Sequence, residues 1–232
     1  MSAKTFNVCA KLFHAVAHFS ARGDVRYYLN GVCIAPCEQG GVVIVATNGY
    51  SLGAMRDPEG ETSGEVIVPY CAAMAKIFEK SKEPAGKVRL RASNVELTNH
   101  LGQVLFIDPT SPALIDGKFP DWRKTVPDAE SMTQPQKPTW LDYNYMKPFF
   151  EAARVLDGHR IGVHLHTRGE ESAVVTLGLN GAHEFFGIVM PLRAHSVSEK
   201  PGVFPGWTQV QKPVPIPEPE GISPDHIGAM AA

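Results

Sequence analysis

His14 and His18 stand four residues apart in a segment of helical periodicity, the spacing at which two imidazoles share one helix face and chelate a metal. The chemistry that would follow is hydrolysis by a metal-bound water. Ala15 occupies the place where an H-E-x-x-H pair carries its glutamate, and no third and fourth ligand follow at a fitting interval. His164 and His166 fall on one side of a strand-like segment near Arg160, the pattern of a solvated or interface face. Cys9, Cys33, Cys37 and Cys71 form no C-x-x-C pair. Cys9 and Cys71 lie on apolar helix faces, as reduced buried thiols do; Cys33 and Cys37 could meet across a turn but bring no further ligands. Asp116 and Asp121 flank a Phe-Pro-Asp-Trp turn, where carboxylates ordinarily accept backbone amides, and Trp122 reads as a packing residue. There is no G-x-S-x-G, no Walker A loop and no G-x-G-x-x-G. These residues predict a protein that is not an enzyme and that holds no metal and no cofactor. A metal-dependent hydrolase built on His14 and His18 is the remote alternative.

The elements around these residues repeat. Helix then strands is read three times: a helix over 6–20 with strands through Met55, a strand over 65–68 and a helix over 69–81 with strands over 88–91, 95–98 and 103–107, and a helix over 145–156 with strands over 161–167, 173–179 and 184–190. Gly40-Gly41, Asn48-Gly49, Ser93-Asn94, Arg168-Gly169-Glu170 and Asn180-Gly181 mark the turns. In particular, Asp24 to Pro36 and Val42 to Met55 read as three successive strands. Pro135 to Pro138 punctuates the chain before the third helix. Beyond Arg193 prolines multiply and apolar periodicity fades, so 194–232 is expected to be an extended or disordered tail.

On a helical wheel Cys9, Leu12, Phe13, Val16 and Phe19 gather on one side of the first helix. Lys11, His14 and His18 gather on the other, with Arg22 extending that stripe. The second helix sets Cys71, Met74, Ile77 and Phe78 against Lys76 and Lys80, with Glu79 at the edge. The third sets Met146, Phe149, Ala153 and Leu156 against Lys147 and Arg154, with Glu151 among them. Taken singly, each basic face is simply a solvated one. Net charge is −2, so any affinity for nucleic acid must be local, and 44 % hydrophobic residues are ample for a core. The N-terminal segment has no apolar run long enough for a signal peptide or a membrane span, which predicts a cytoplasmic protein without membrane contact.

Four segments carry a resemblance. RYYLNG within Asp24 to Pro36, ATNGYSL within Val42 to Met55, DGKFPDWRKTVP at Asp116 to Pro127 and IVMPLR at Ile188 to Arg193 occur in the order and spacing of the RYYLNG, ATDGHRLA, DGRFPDYRRVIP and VVMPMR segments of the bacterial DNA polymerase III beta subunit, the sliding-clamp family. The similarity runs from about Phe6 to Arg193, strongest to Pro127. It implies an α+β DNA-clamp fold: repeated helix-plus-antiparallel-strands units with the helices on one face of the sheets. It divides the chain into a complete clamp-type domain over 1–127, half a domain over 138–193, and the tail over 194–232. The family has three full domains per chain and twelve units per ring. Three units here would need four copies, hence an expected homotetramer.

The resemblance further implies a ring around duplex DNA, held without regard to sequence, with Lys11, His14, His18, Arg22, Lys76, Lys80, Lys147 and Arg154 facing it. Partners would be a polymerase, other clamp-binding peptides and a clamp loader. The family's peptide pocket maps onto Leu29, Thr47, Gly49, Tyr50, Ser51, Leu52, Pro127, Ile188, Val189, Met190, Pro191 and Leu192. Tyr50 and Ser51 stand where the family carries His-Arg, so a rim charge is lost. Read by itself, Ile188 to Leu192 is an apolar core strand. The tail, with Val203, Phe204, Trp207 and Ile216, would be a loose tether or a strap over the pocket. A clamp-derived adaptor that keeps the pocket but closes no ring is the alternative function.

Overall fold

Short apolar runs bounded by turns make strands the commonest element of the chain. The computed structural model describes residues 4–80, 85–91, 93–109, 113–132, 139–157, 162–179 and 184–193. The expectations for the tail and for the Asn180-Gly181 turn lie outside them. In order, the elements are β1 (Phe6–Cys9), α1 (Ala10–Ala17), β2 (Gly31–Pro36), β3 (Val42–Thr47), β4 (Ser51–Asp57), β5 (Glu61–Thr62), β6 (Val66–Pro69), α2 (Ala72–Lys80), β7 (Ala85–Arg91), β8 (Asn94–Asn99), β9 (Val104–Ile107), α3 (Ala129–Met132), α4 (Tyr143–Asp157), β10 (Val163–Arg168), β11 (Glu171–Leu177) and β12 (Phe185–Val189). They form two sheets, ordered β5-β1-β7-β8-β9 and β10-β11-β12-β4-β3-β2-β6, with antiparallel pairing throughout. The result is an α+β fold of repeated helix-plus-strands units.

Two boundaries differ from the sequence reading. The first helix does not begin at Phe6. Phe6 and Val8 point into the core while Asn7 pairs with Glu61 and Arg89, so this segment is a strand between β5 and β7. The helix starts after Cys9, whose amide donates to the buried Asp57 Oδ2 at 2.6 Å. That carboxylate, at the end of β4, takes the N-terminal role that no side chain within α1 fills. Asp24 to Pro36 is not one strand either. Tyr27–Leu29 is a 3-10 turn. Asp24 Oδ1 accepts the Arg26 amide at 2.8 Å, and Asn30 bonds the Asp24 backbone in both directions, at 3.0 and 2.9 Å. These local bonds compete successfully with strand pairing.

Helix α1 is the middle of the helical layer. It packs on β2, β3, β4 and β7, thus on both sheets, and lies beside α4, which packs on β4 and β12. The third unit is attached to the first by the β12–β4 pairing, Phe185↔Met55 to Val189↔Ser51. At the centre of that seam Gly53 faces Gly187. A Cβ on either would overlap a phenyl ring, Phe19 over Gly53 and Phe149 over Gly187. The two rings meet edge to face at 4.8 Å and both are fully buried. Glycine is required here for room rather than for backbone freedom.

Candidate functional site

The β3–β4 turn is built from its own side chains. Asn48 Oδ1 accepts the amides of Tyr50 and Ser51, both at 2.9 Å. Thr47 Oγ1 accepts the Gly49 amide at 3.0 Å and donates to the Ser51 carbonyl at 2.9 Å. Gly49 has φ +91°, a left-handed conformation that favours glycine, and the Arg26 guanidinium packs over it. The chain leaving β12 is tied to this turn by the Met190 amide, which donates to the Tyr50 carbonyl at 2.8 Å. Two residues on, the Leu192 amide donates to the Trp140 carbonyl at 2.8 Å.

The turn, the 3-10 segment and the end of β12 enclose a cleft of about 200 Å³. Leu29, Thr47, Gly49, Tyr50, Ser51, Leu52, Ile188 and Met190 line it. Pro127 does not; it lines an adjoining hollow of about 580 Å³ with Trp122, Arg123, Val126, Asp128 and Phe186. Val189 is fully buried on the other side of its strand, because alternate residues of β12 face opposite ways. Pro191 and Leu192 are half-buried and outside the lining of either hollow. The sequence reading missed Arg26, Tyr28, Pro120, Asp121, Trp122 and Thr125, which complete the walls. Arg26 and Tyr28 belong to the RYYLNG segment and Trp122 to the FPDW turn, so the signal was present in residues read as strand and as packing. Trp122 borders both hollows, with the Arg123 guanidinium 4.7 Å from its ring centre.

Leucine, isoleucine, methionine, proline and tryptophan side chains leave this cleft mainly apolar, with Thr47 and Ser51 hydroxyls engaged locally. Its lining suits apolar groups, and it offers no nucleophile and base in contact. At its mouth the Arg26 side chain bonds Asp24 at 2.8 Å and holds that carboxyl down at about 2. Tyr50 lies flat on Tyr145 of α4, rings 4.6 Å apart and 2° from parallel. The Tyr145 phenol is pushed up by burial first and by Tyr50 next.

On the helical layer Lys11, Arg22, Lys76, Lys80, Lys147 and Arg154 are exposed. Arg154 is engaged by Glu151 at 2.9 Å. His14 does not belong to that open face. It is 7 % exposed and stacks on Phe78 of α2, rings 4.2 Å apart and 15° from parallel. His18, half-buried, follows at 5.0 Å. The wheel treats α1 as a helix with one buried side, whereas α2 and α4 flank it and leave Lys11 as its exposed residue. Burial, then His18 and Arg154, drive the His14 pKa down to about 3; burial also lowers that of His18. Among the described residues no group of three His, Cys, Asp or Glu side chains is arranged to hold a metal. No helix among them is long and apolar enough to cross a membrane. Cys33 is buried and its thiol pKa is raised by that burial. His164 on β10 is exposed and His166 half-buried.

Comparison with known proteins gives this geometry a context. The model of the DNA polymerase III beta subunit central domain matches residues 5–121. The beta sliding clamp of Escherichia coli K12 is 29 % identical over 161 residues, 67 % of this chain and 40 % of that protein. That of Haemophilus influenzae is 30 % identical over 159 residues, 66 % of this chain and 40 % of its own. The chain thus spans about 40 % of the length of these relatives. Among solved structures, the Bartonella birtlesii DNA polymerase III subunit beta bound to griselimycin superposes with a TM-score of 0.55 at 18 % identity, covering 84 % of this chain and 67 % of that one. A Pseudomonas aeruginosa sliding clamp with ligand gives 0.54 at 19 % identity, covering 82 % and 66 %. These similarities show the clamp fold.

Proposed function

The chain belongs to the DNA polymerase III beta-subunit, or sliding-clamp, family, and from that premise we propose that it is a processivity clamp that encircles duplex DNA and tethers client proteins through the cleft between the β3–β4 turn and the end of β12. The observation that carries the reading is the Met190–Tyr50 backbone bond, which brings two segments 140 residues apart in sequence to one apolar cleft. The mechanism needs no bond-making chemistry. Binding energy goes into client peptides and copy-to-copy contacts, while the link to DNA is topological. Residues 1–127 are a full clamp domain and 138–193 half of one, so four copies supply the units of a closed ring. Lys11, Arg22, Lys76, Lys80, Lys147 and Arg154 hold phosphates without reading bases.

The test has two arms. A fluorescent peptide with adjacent leucine and phenylalanine anchors is expected to bind the full chain and to lose at least tenfold in affinity with Leu52→Asp, since a carboxylate in an apolar wall is strongly disfavoured. The protein is expected to stay on nicked circular DNA and to slide off once the circle is linearised. A second reading is an adaptor that keeps the cleft and closes no ring; among the described residues the cleft is lined without any contribution from another copy. Peptide binding with no retention on circles, and a monomer by solution mass, would establish the adaptor instead.

A further inference from the structure

The first and second units complete each other by exchanging the strand that precedes each helix. β1, which leads into α1, pairs with β7, the first strand after α2. β6, which leads into α2, pairs with β2, the first strand after α1. On its other side each leading strand meets the segment that follows the last strand of its own unit. β5, after β4, pairs with β1, and the Ile115 amide, after β9, donates to the Ile67 carbonyl of β6 at 2.9 Å. The third unit repeats half of this arrangement. The Leu192 amide, after β12, donates at 2.8 Å to the carbonyl of Trp140, in the segment that leads into α4. Trp140 thus stands where Ile67 stands in the second unit. The other half is open. Among the described residues β10, the first strand after α4, pairs with β11 alone, and the 140–142 segment pairs with no strand. Burial follows the pairing. Val32, Cys33 and Ile34 of β2 are at most 2 % exposed, whereas Val163, Leu165 and His166 of β10 are half-buried and His164 is exposed.

We propose that β10 is completed by a second copy of this chain, whose 140–142 segment lies antiparallel along it, while β10 of that copy takes the same segment of the first. The contact is two-fold and joins third unit to third unit. It fills two open edges in one event and pairs backbone groups otherwise left to water. A strand from elsewhere in the chain would cover β10 but leave the leading segment without its neighbour. Another third unit has both an edge to fill and a segment to lend. The side chains keep phase. In the completed pair of β2 and β6, Val32 and Val68 face the main core together, and Cys33 and Ile67 share the opposite face of the sheet. Val163, Leu165 and Leu141 also pack against the main core. Leu141 of one copy therefore comes beside Val163 of the other, and Trp140, 37 % exposed, beside the exposed His164 on the opposite face. The added strand continues the sheet whose β12–β4 border already joins the third unit to the first. Two copies joined in this way make three complete two-unit domains, so a tetrameric ring would be a pair of such dimers. The contact rests on the pattern of units and holds equally for an adaptor that closes no ring.

The test is the solution mass of the full chain at one fixed concentration, in wild type and two paired variants. Wild type is expected to be a dimer or a tetramer. Trp140→Glu with His164→Glu sets like charges opposite each other twice and should halve that mass, with the dissociation constant of the contact raised about tenfold or more. Trp140→Glu with His164→Lys sets opposite charges there and should restore the wild-type mass. As a second measurement, Trp140→Cys with His164→Cys is expected to give a covalent dimer on oxidation, and each single cysteine variant to stay unlinked. A monomeric wild type overturns the inference, because the edge is then served within one chain. A mass that neither charge variant changes overturns it too, as does a halved mass left unrestored by the lysine variant together with no covalent dimer. These outcomes separate from the clamp reading. A mass that halves and recovers, in a protein not retained on circular DNA, keeps this contact and removes the ring. A tetramer retained on circles whose mass ignores both variants keeps the ring and removes this contact.

Discussion

At the residue scale, Asp57 shows how a distant carboxylate can decide where a helix begins. Buried at the end of β4, it accepts the Cys9 amide with Oδ2 and the Glu59 amide with Oδ1, at 2.6 and 3.2 Å. It thereby holds the N-terminus of α1 and the turn after β4 together. Asp57→Ala should cost about 2 kcal/mol of stability, from the loss of a charged hydrogen bond and a buried amide left without its partner. Urea unfolding followed by circular dichroism measures it, and a loss below about 0.5 kcal/mol would remove this residue from that role. Nothing near Cys9 announces the boundary. The Phe6 to Phe19 stretch satisfies a helical wheel well enough, and the bond that ends the strand comes from 48 residues away. The β3–β4 turn was legible for the opposite reason, since Thr47, Asn48, Gly49 and Ser51 make their bonds among themselves.

At the scale of elements, the packing of α1 between α2 and α4 makes the helical layer sensitive to acid. The folded protein keeps His14 neutral, its pKa held at about 3 against an ordinary 6.5. Folding stability from this group is therefore whole above about pH 6.5 and drains away as pH falls from there toward about 3, by at most about 1.4 kcal/mol per pH unit. The groups that face the pair are His18, Arg22, Glu79, Glu151 and Arg154, and their charges modulate the slope. His14→Phe, which can keep the stack on Phe78, is expected to flatten the dependence of unfolding free energy on pH between about 6 and 4. An unaltered slope would assign the acid sensitivity elsewhere. The wheel placed His14 with the lysines because a wheel allows for one neighbour, and a middle helix has two. The seam between β4 and β12 gives a second expectation. Gly53→Ala should destabilise by about 1–3 kcal/mol through overlap with the Phe19 ring. Phe19→Leu in the same chain should recover part of that loss, and strict additivity of the two changes would refute the steric account.

For the molecule as a whole, the strand pattern and the four resemblance segments made the α+β clamp fold legible. What they did not carry was which side chains of those segments line a common space, because that depends on the phase of β12 and on a 3-10 turn inside a segment read as strand. The open faces of the helical layer belong to this scale as well. Replacing Lys11, Lys76 and Lys80 by glutamate should shorten retention on circular DNA and reduce the dependence of binding on salt, by roughly 0.9 in the logarithmic slope for each phosphate no longer neutralised. A slope identical to wild type would mean that these lysines do not meet DNA. Sedimentation of the full chain is expected to give a tetramer, and a monomer at high concentration would leave the ring without its units.

The paired glycines under Phe19 and Phe149 bear on how units of this fold can be recombined. Two backbones lie bare at the same point of neighbouring strands, and two rings from separate helical segments fill the dent. A third unit borrowed from another protein would dock only if it brought its own bare position and its own ring in matching phase. Exchange of modules at this border therefore turns on two positions carried by the incoming unit, those of Gly187 and Phe149, matching Gly53 and Phe19 of the unit that stays.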